Sequence, residues 1–243
     1  MDIHVISLRR TPQRLAAFRE ANAHLPAIRV FEAVDGLLVD RDALVRDRVI
    51  AADLDYLPGA LGCALSHRAL WTAAASGSSP ITVCEDDAVL HRDLEAKAAR
   101  FIESLPPGWD AIAWAWNFDA PVAFELLPHA TQCRVSMNPP DVSPAVVDAF
   151  MSLDVDPRPY RLLRSFGAAC YTVSPEGARW LDAKCFPLSP FVPPVGSRNP
   201  LVNAGIDVAM ANVFPRADVW VSFPPLALAL NDVAASTIGG AER

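Results

Sequence analysis

Glu85, Asp86 and Asp87 stand in a row directly after the apolar run Ile81-Thr82-Val83-Cys84. Neighbouring carboxylates repel one another, and a bound divalent cation is the common way to offset that repulsion where they leave a buried strand. Oxygen ligands of this kind suit Mn²⁺ or Mg²⁺. Such an ion can bridge the two phosphates of a nucleotide-sugar and stabilise the departing nucleoside diphosphate. At the carboxyl end of a sheet strand the triplet also falls where open α/β sheets bind ligands. The competing reading is a solvated acidic cap opening the next helix, and the triplet alone does not separate the two. Near the N-terminus lies a local basic cluster, Arg9, Arg10, Arg14 and Arg19. Arg9 and Arg14 can approach a diphosphate from a strand-to-helix turn, where backbone N–H groups also favour anions. Arg10 and Arg19 read better as surface residues.

These side chains need a scaffold, and the pattern of the chain supplies one. Residues 3–7 read as a buried strand. A helix follows with Thr11 at its cap, Pro12 in its first turn, and Leu15, Phe18, Asn22 and Leu25 along one face. A strand over 29–33 closes at the turn signal Asp35-Gly36. Residues 61–75 form a helix that is apolar almost all round, hence central, with Ser66-His67-Arg68 inside it. The strand 81–84 leads into the acidic triplet, and a helix over 93–104 stops before Pro106-Pro107. Residues 111–116 alternate, with Ile112, Trp114 and Trp116 on one face and alanines on the other, as in a strand under a closely packed helix. The stretches 138–160 and 187–203 read as loops or a lid. Between them, 168–173 is a strand and Ser174-Pro175-Glu176 a helix start. Asp207 opens a short helix, 218–222 is the last strand, and 234–243 frays. The expectation is one α/β domain over 1–243 with a mainly parallel central sheet covered on both faces.

Composition narrows the function. With 52% apolar and 20% charged residues the chain is globular rather than disordered. A formal charge of −7 argues against a nucleic-acid surface and against tight association with an anionic membrane, leaving peripheral contact at most. No apolar stretch reaches the ~18 residues of a membrane span. The best candidate, 219–230, is broken by Pro224-Pro225. There is no signal-peptide pattern, and the five cysteines lack CxxC spacing and read as buried free thiols. A cytoplasmic setting fits.

Taken in order, the motifs resemble glycosyltransferase family 25, which holds lipopolysaccharide (lipooligosaccharide) galactosyltransferases and collagen galactosyltransferases. Ile3-His4-Val5-Ile6-Ser7-Leu8-Arg9-Arg10 with Arg14 is similar to its N-terminal signature, and Val34-Asp35-Gly36 to the next landmark. Gly62-Cys63-Ala64-Leu65-Ser66-His67-Arg68-Ala69-Leu70-Trp71 is close to its most distinctive segment. Thr82-Val83-Cys84-Glu85-Asp86-Asp87-Ala88, Gly108-Trp109-Asp110 and Tyr171-Thr172-Val173-Ser174-Pro175-Glu176-Gly177-Ala178 follow in order. Asp207 and a tail from Pro224 to Ile238 complete the series, so the resemblance spans nearly the whole chain.

The resemblance implies a GT-A-like, three-layer α/β/α fold, a UDP-sugar donor (often UDP-galactose), Mn²⁺ or Mg²⁺, a glycan or lipopolysaccharide-type acceptor, and inversion at the anomeric carbon. Inversion needs a base, and Asp207 occupies the family's position for it; from the residues alone, a helix-capping aspartate competes. By the same resemblance Ser7 and Leu8 lie near the nucleoside, and Asp35, Ser66, His67 and Asp86 are candidates for donor contacts. Glu85 and Asp87 are candidate metal ligands. A lone His67 in an apolar helix also reads as a structural group. Trp114 and Trp116 are either an acceptor platform or core. Two departures stand out. All five histidines (His4, His24, His67, His91, His129) lie early in the chain, so no late histidine can serve as third metal ligand and Asn231, a carboxylate, water or phosphate would have to. Trp114-Ala115-Trp116 replaces a leucine- and glycine-rich run, which bears on the acceptor. Two other classes share these features: a metal-dependent nucleotidyltransferase and a non-catalytic sugar-nucleotide-binding protein.

Overall fold

Short runs of β-branched residues and alanine, bounded by Gly, Pro and Asp signals, become strands that join in one sheet. The computed structural model describes residues 1–25, 27–137, 143–192 and 202–230. Its first half contains β1 (Ile3–Ser7), α1 (Pro12–Ala21), β2 (Ile28–Glu32), α2 (Arg41–Arg46), α3 (Pro58–Ser76), β3 (Ile81–Glu85), β4 (Ala88–Leu90) and α4 (Leu94–Glu103). The second half contains β5 (Ala111–Ala115), β6 (Val122–Leu127), β7 (Thr131–Val135), α5 (Pro144–Ser152), β8 (Arg158–Arg164) and β9 (Cys170–Val173). It ends with α6 (Pro175–Cys185), α7 (Ile206–Val213), β10 (Val219–Phe223) and β11 (Ala227–Ala229).

Among the described residues the sheet order is β2-β1-β3-β9-β5-β10-β8-β6-β7, with β4 and β11 paired apart. Parallel pairing joins β1 to β2 and β3, and β5 to β10. β9 enters antiparallel between β3 and β5, and β8, β6 and β7 continue antiparallel beyond β10. Most strands therefore share one direction, yet the sheet is mixed rather than mainly parallel in its pairing.

Alternate strand residues feed two cores, one on each face of the sheet. Ile6, Val83, Tyr171 and Val173 face α3, α6 and α7, while Val5, Cys84, Ile112 and Cys170 face α1, α4 and the small β4–β11 sheet. Leu61, Leu181 and Leu188 are fully buried, and each contributes roughly 1.5–3 kcal/mol. The helix α3 comes very close to the loop after β2. A Cβ on Gly62 would lie 2.4 Å from the Val34 carbonyl oxygen and 2.7 Å from Gly36 N. Ser66 Oγ locks this approach by accepting from Val34 N at 2.8 Å and donating to Gly62 O at 2.7 Å. Two sequence landmarks, 34–36 and 62–71, are thus one packed unit.

The structure corrects several expectations. Part of the stretch 138–160 is not loop: Ser143-Pro144 starts α5, and β8 begins at Arg158 and pairs with β10 and β6. Residues 138–142, 193–201 and 231–243, which include Asn231 and the tail expected to fray, lie outside the described residues. The strand at 219–223 is not the last, since β11 follows and pairs with β4. The alternation of 111–116 also breaks. Ala113 pairs with Tyr171 and Ala115 with Cys170, so β5 gains a residue at Trp114. This bulge sends Trp114 to one core and Trp116 to the other. Both indoles are fully buried, so neither is an acceptor platform. The five cysteines are free. No helix among the described residues is long and apolar enough to cross a membrane.

Candidate active site

The carboxyl ends of β1 and β3 open onto a cavity of about 490 Å³. Ser7 and Leu8 come from β1, Arg10 and Arg14 from the turn and first part of α1, and Glu85, Asp86 and Asp87 from β3. The opposite wall carries Asn117 and Asp119 from beyond β5, Gly167 from before β9, and Asp207 from the first turn of α7. Five lining carboxylates thus stand against two guanidinium groups.

The three acidic side chains have separate surroundings. Asp86 is engaged within the protein: Oδ2 accepts from Ser7 Oγ at 2.8 Å and Oδ1 from Arg14 Nε at 2.7 Å. Arg14 also lies 3.7 Å from Asp87 Oδ2. Burial acts to lower the Arg14 pKa, but the Asp86 hydrogen bond and the charges of Asp86, Asp87 and Glu85 outweigh it, and the net shift is upward. Glu85 Oε1 faces His67 Nε2 at 3.2 Å and accepts from the Cys63 thiol at 3.8 Å. Burial, followed by the Glu85 charge, pushes the Cys63 thiol well above its usual range, so it stays a donor. Asp87 is the least satisfied: Oδ1 is buried with no hydrogen-bond partner among the described residues. Burial, then the Glu85 charge, raises its pKa to about 7 against the opposing pull of Arg14.

On the opposite wall, Asp207 Oδ2 accepts from Gly167 N at 2.8 Å. Gly205 takes the cap position of α7, and Asp207, in its first turn, is held both across the loop by Gly167 and by the N–H groups of Val208 and itself. Burial raises its pKa, the Gly167 N–H works against that, and the Glu85 charge adds to it, a sign that the two walls are electrostatically close. Gly167 has φ +83°, and a Cβ there would meet Asn117 Oδ1 at 2.2 Å, so glycine alone fits this turn.

Positions singled out in the sequence divide accordingly. Ser7, Leu8, Arg14, Glu85, Asp86, Asp87 and Asp207 line the cavity. Arg9 is exposed and pairs with Glu32 at 2.6 Å, outside the lining, while Arg10, read as a surface residue, lines the cavity and pairs with Asp35 at 2.9 Å. One position separates these two arginines, and only the turn after β1 decides which faces inward. Ser66 and His67 are fully buried behind the wall. Asn117, Asp119 and Gly167 carried no signal in the sequence beyond their places after or before strands.

Against known proteins, the model of glycosyltransferase family 25 (LPS biosynthesis protein) matches residues 1–185. The chain belongs to glycosyltransferase family 25. It is therefore an enzyme, a glycosyltransferase that moves a sugar from a donor to an acceptor. No curated protein matches the chain. The matched part of this transferase includes Arg14, His67 and the acidic triplet and stops short of Asp207, which the fold alone brings to the same cavity. Glu85 and Asp87 are the residues able to hold a hard cation there, since Asp86 is taken up by Ser7 and Arg14. Cys63, His67 and Glu85 also place ligand atoms within 4.8 Å of one another.

Proposed function

We propose that this family 25 enzyme is an inverting, metal-dependent hexosyltransferase of the GT-A type. It moves a hexose, galactose first among them, from a UDP-sugar to a lipopolysaccharide-core or similar glycan in the cytoplasm. The observation that carries the reading is Asp87: a buried carboxylate oxygen without a partner among the described residues, beside Glu85, in a cavity that also holds Asp207. A diphosphate entering among five carboxylates and two guanidinium groups would be repelled without an added cation. Glu85 and Asp87 fit Mn²⁺ or Mg²⁺, which would act as a Lewis acid toward the leaving diphosphate. Arg10 and Arg14 supply the protein's own positive charge at the start of α1, and Ser7 and Leu8 border the nucleoside end.

Asp207 is the base in this reading. Its carboxylate takes the proton of the acceptor hydroxyl as that oxygen bonds to the anomeric carbon and the bond to UDP breaks. The Gly167 N–H holds its orientation, and burial makes it a better proton acceptor than an exposed aspartate. Asp207→Asn tests the assignment by UDP release from UDP-galactose, UDP-glucose, UDP-GlcNAc and UDP-GalNAc with Mn²⁺ and an acceptor panel. Transfer is expected to fall at least about a hundredfold while donor affinity stays within a few-fold. Normal turnover in that variant would remove Asp207 from the mechanism.

A further inference from the structure

Behind the cavity wall a chain of hydrogen bonds runs from the core to Glu85, and its direction can be worked out from the proton inventory. Trp71 Nε1 lies 2.7 Å from the Tyr171 phenol oxygen, which lies 2.8 Å from His67 Nδ1. His67 Nε2 lies 3.2 Å from Glu85 Oε1. His67, Trp71 and Tyr171 are all buried. An indole N–H can only donate, and a phenol has one proton. Trp71 therefore fills one acceptor site on the phenol oxygen, and the phenol's own proton goes to His67 Nδ1, its other partner here. That leaves Nε2 as the ring nitrogen that carries a proton, aimed at the carboxylate.

The opposite tautomer fails on two counts. It puts two donors on the phenol oxygen and leaves the Tyr171 proton buried without an acceptor. It also turns a lone pair of Nε2 against Glu85. An unsatisfied buried donor costs about 1–3 kcal/mol. Burial pushes the Tyr171 phenol well above its usual range, which keeps it a proton donor. The same logic decides how the Cys63–His67–Glu85 cluster works. A metal on Nε2 would need the lone pair there and the proton on Nδ1, the tautomer that the phenol rejects.

We propose that Trp71, Tyr171 and His67 form a one-way hydrogen-bond relay whose terminal Nε2–H fixes the Glu85 carboxylate for cation binding, with His67 as a positioning residue and not a metal ligand. The orientation of Glu85 rests on geometry alone; its use in cation binding rests on the metal-dependent function proposed above. Outer-shell hydrogen bonds of this kind shift metal affinity by about 10–100-fold when removed.

The full chain labelled with ¹⁵N-histidine and free of metal tests the relay first. Long-range ¹H–¹⁵N correlation spectra report the tautomer of each histidine, and the His67 signals are assigned by their loss in His67→Gln. The Nε2–H form is expected in the wild type, with loss of that preference in Tyr171→Phe. A wild-type Nδ1–H form, or a ring protonated on both nitrogens, overturns the relay. Mn²⁺ binding, read from the paramagnetic resonance signal of the free ion, tests the consequence. His67→Gln, which keeps an N–H donor, is expected to bind within about threefold of the wild type. His67→Leu is expected to bind 10–100-fold more weakly, and to add nothing in a Glu85→Gln background. Unchanged affinity in a folded His67→Leu variant, or an equal loss in both backgrounds, overturns the positioning role. Where His67→Leu does not fold, Tyr171→Phe carries the same comparison. Wild-type protein that takes up no Mn²⁺ overturns the metal reading, while the tautomer still decides the relay.

Discussion

Three adjacent acidic residues take three different roles because each leaves β3 in a different direction. Asp86 turns toward Ser7 and Arg14 and binds β1 and α1 to the strand end. Glu85 turns toward α3, where its Oε1 faces His67 Nε2 and accepts a hydrogen bond from the Cys63 thiol. Asp87 faces the cavity with an oxygen that has no hydrogen-bond partner among the described residues. Burying an ionised carboxylate without full compensation is costly, so in the proposed function Asp87 carries a penalty that the bound cation offsets. Asp87→Asn separates stability from function. Its metal-free melting temperature is expected to equal or exceed that of the wild type, while Mn²⁺-dependent transfer drops at least about a hundredfold. A melting temperature lowered by many degrees would make Asp87 a structural anchor instead. The triplet stood out in the sequence as a candidate metal and diphosphate site, but this division of surroundings did not. It depends on which neighbours arrive from α1 and α3, residues that lie far from the triplet along the chain.

Elements position these groups through a few close contacts whose loss is measurable. Asn22, at the end of α1, clamps the chain just after the triplet: Nδ2 donates to Ala88 O at 2.9 Å and Phe18 O at 2.8 Å, and Oδ1 accepts from Leu90 N at 2.7 Å. Its place on the helix face was readable from spacing with Phe18 and Leu25, yet its task appears only once β4 is seen beneath it. Asn22→Leu takes the side-chain partner from the Leu90 N–H and the Ala88 carbonyl, while Phe18 O keeps the backbone N–H of residue 22, and it is expected to destabilise the protein by about 1–3 kcal/mol, measured by urea unfolding. An effect below about 0.5 kcal/mol would show that β4 does not depend on the clamp. Gly167→Ala acts on the other wall. It forces a side chain into a left-handed conformation and against Asn117, so the N–H that holds Asp207 must move. A loss of about 2 kcal/mol in stability is expected, with kcat reduced more than KM. The elements that the sequence hid share a cause. β6 and β7 form an edge with half-exposed, irregular burial, bounded by Pro121 and His129, and α5 lies in a proline-rich stretch. Neither shows a clean period. The core strands β1, β3 and β9 are buried along nearly their whole length, α3 buries nine of its 19 residues, and their apolar runs announced them.

At the scale of the molecule, the cavity joins two parts of the chain that the sheet and α3 bring together. One wall comes from β1, α1 and β3; the other comes from the segments around Gly167 and Asp207. A ligand that touches both walls is linked to global unfolding, because neither wall keeps its geometry once the sheet is lost. In the proposed function, the balance of five carboxylates against two guanidinium groups sets the order of events. A UDP-sugar alone adds negative charge to a site already rich in it, whereas a UDP-sugar with Mn²⁺ supplies the missing positive charge along with its own contacts. Donor and metal are therefore expected to stabilise the enzyme jointly and not separately. At a hundredfold excess over its dissociation constant a ligand adds about 2.7 kcal/mol, which for a chain of this size is a rise of roughly 5–10 °C in melting temperature. With EDTA in place of Mn²⁺ the same donor is expected to give less than about 2 °C, and Asp87→Asn is expected to abolish the metal-dependent part. Equal stabilisation with EDTA and with Mn²⁺ would mean that Arg10 and Arg14 suffice for the diphosphate. The unpartnered oxygen of Asp87 would then call for another explanation. Running the four UDP-sugars side by side uses the same measurement to rank donors, since a correctly held hexose adds contacts on the Asp207 wall that the shared UDP portion does not reach.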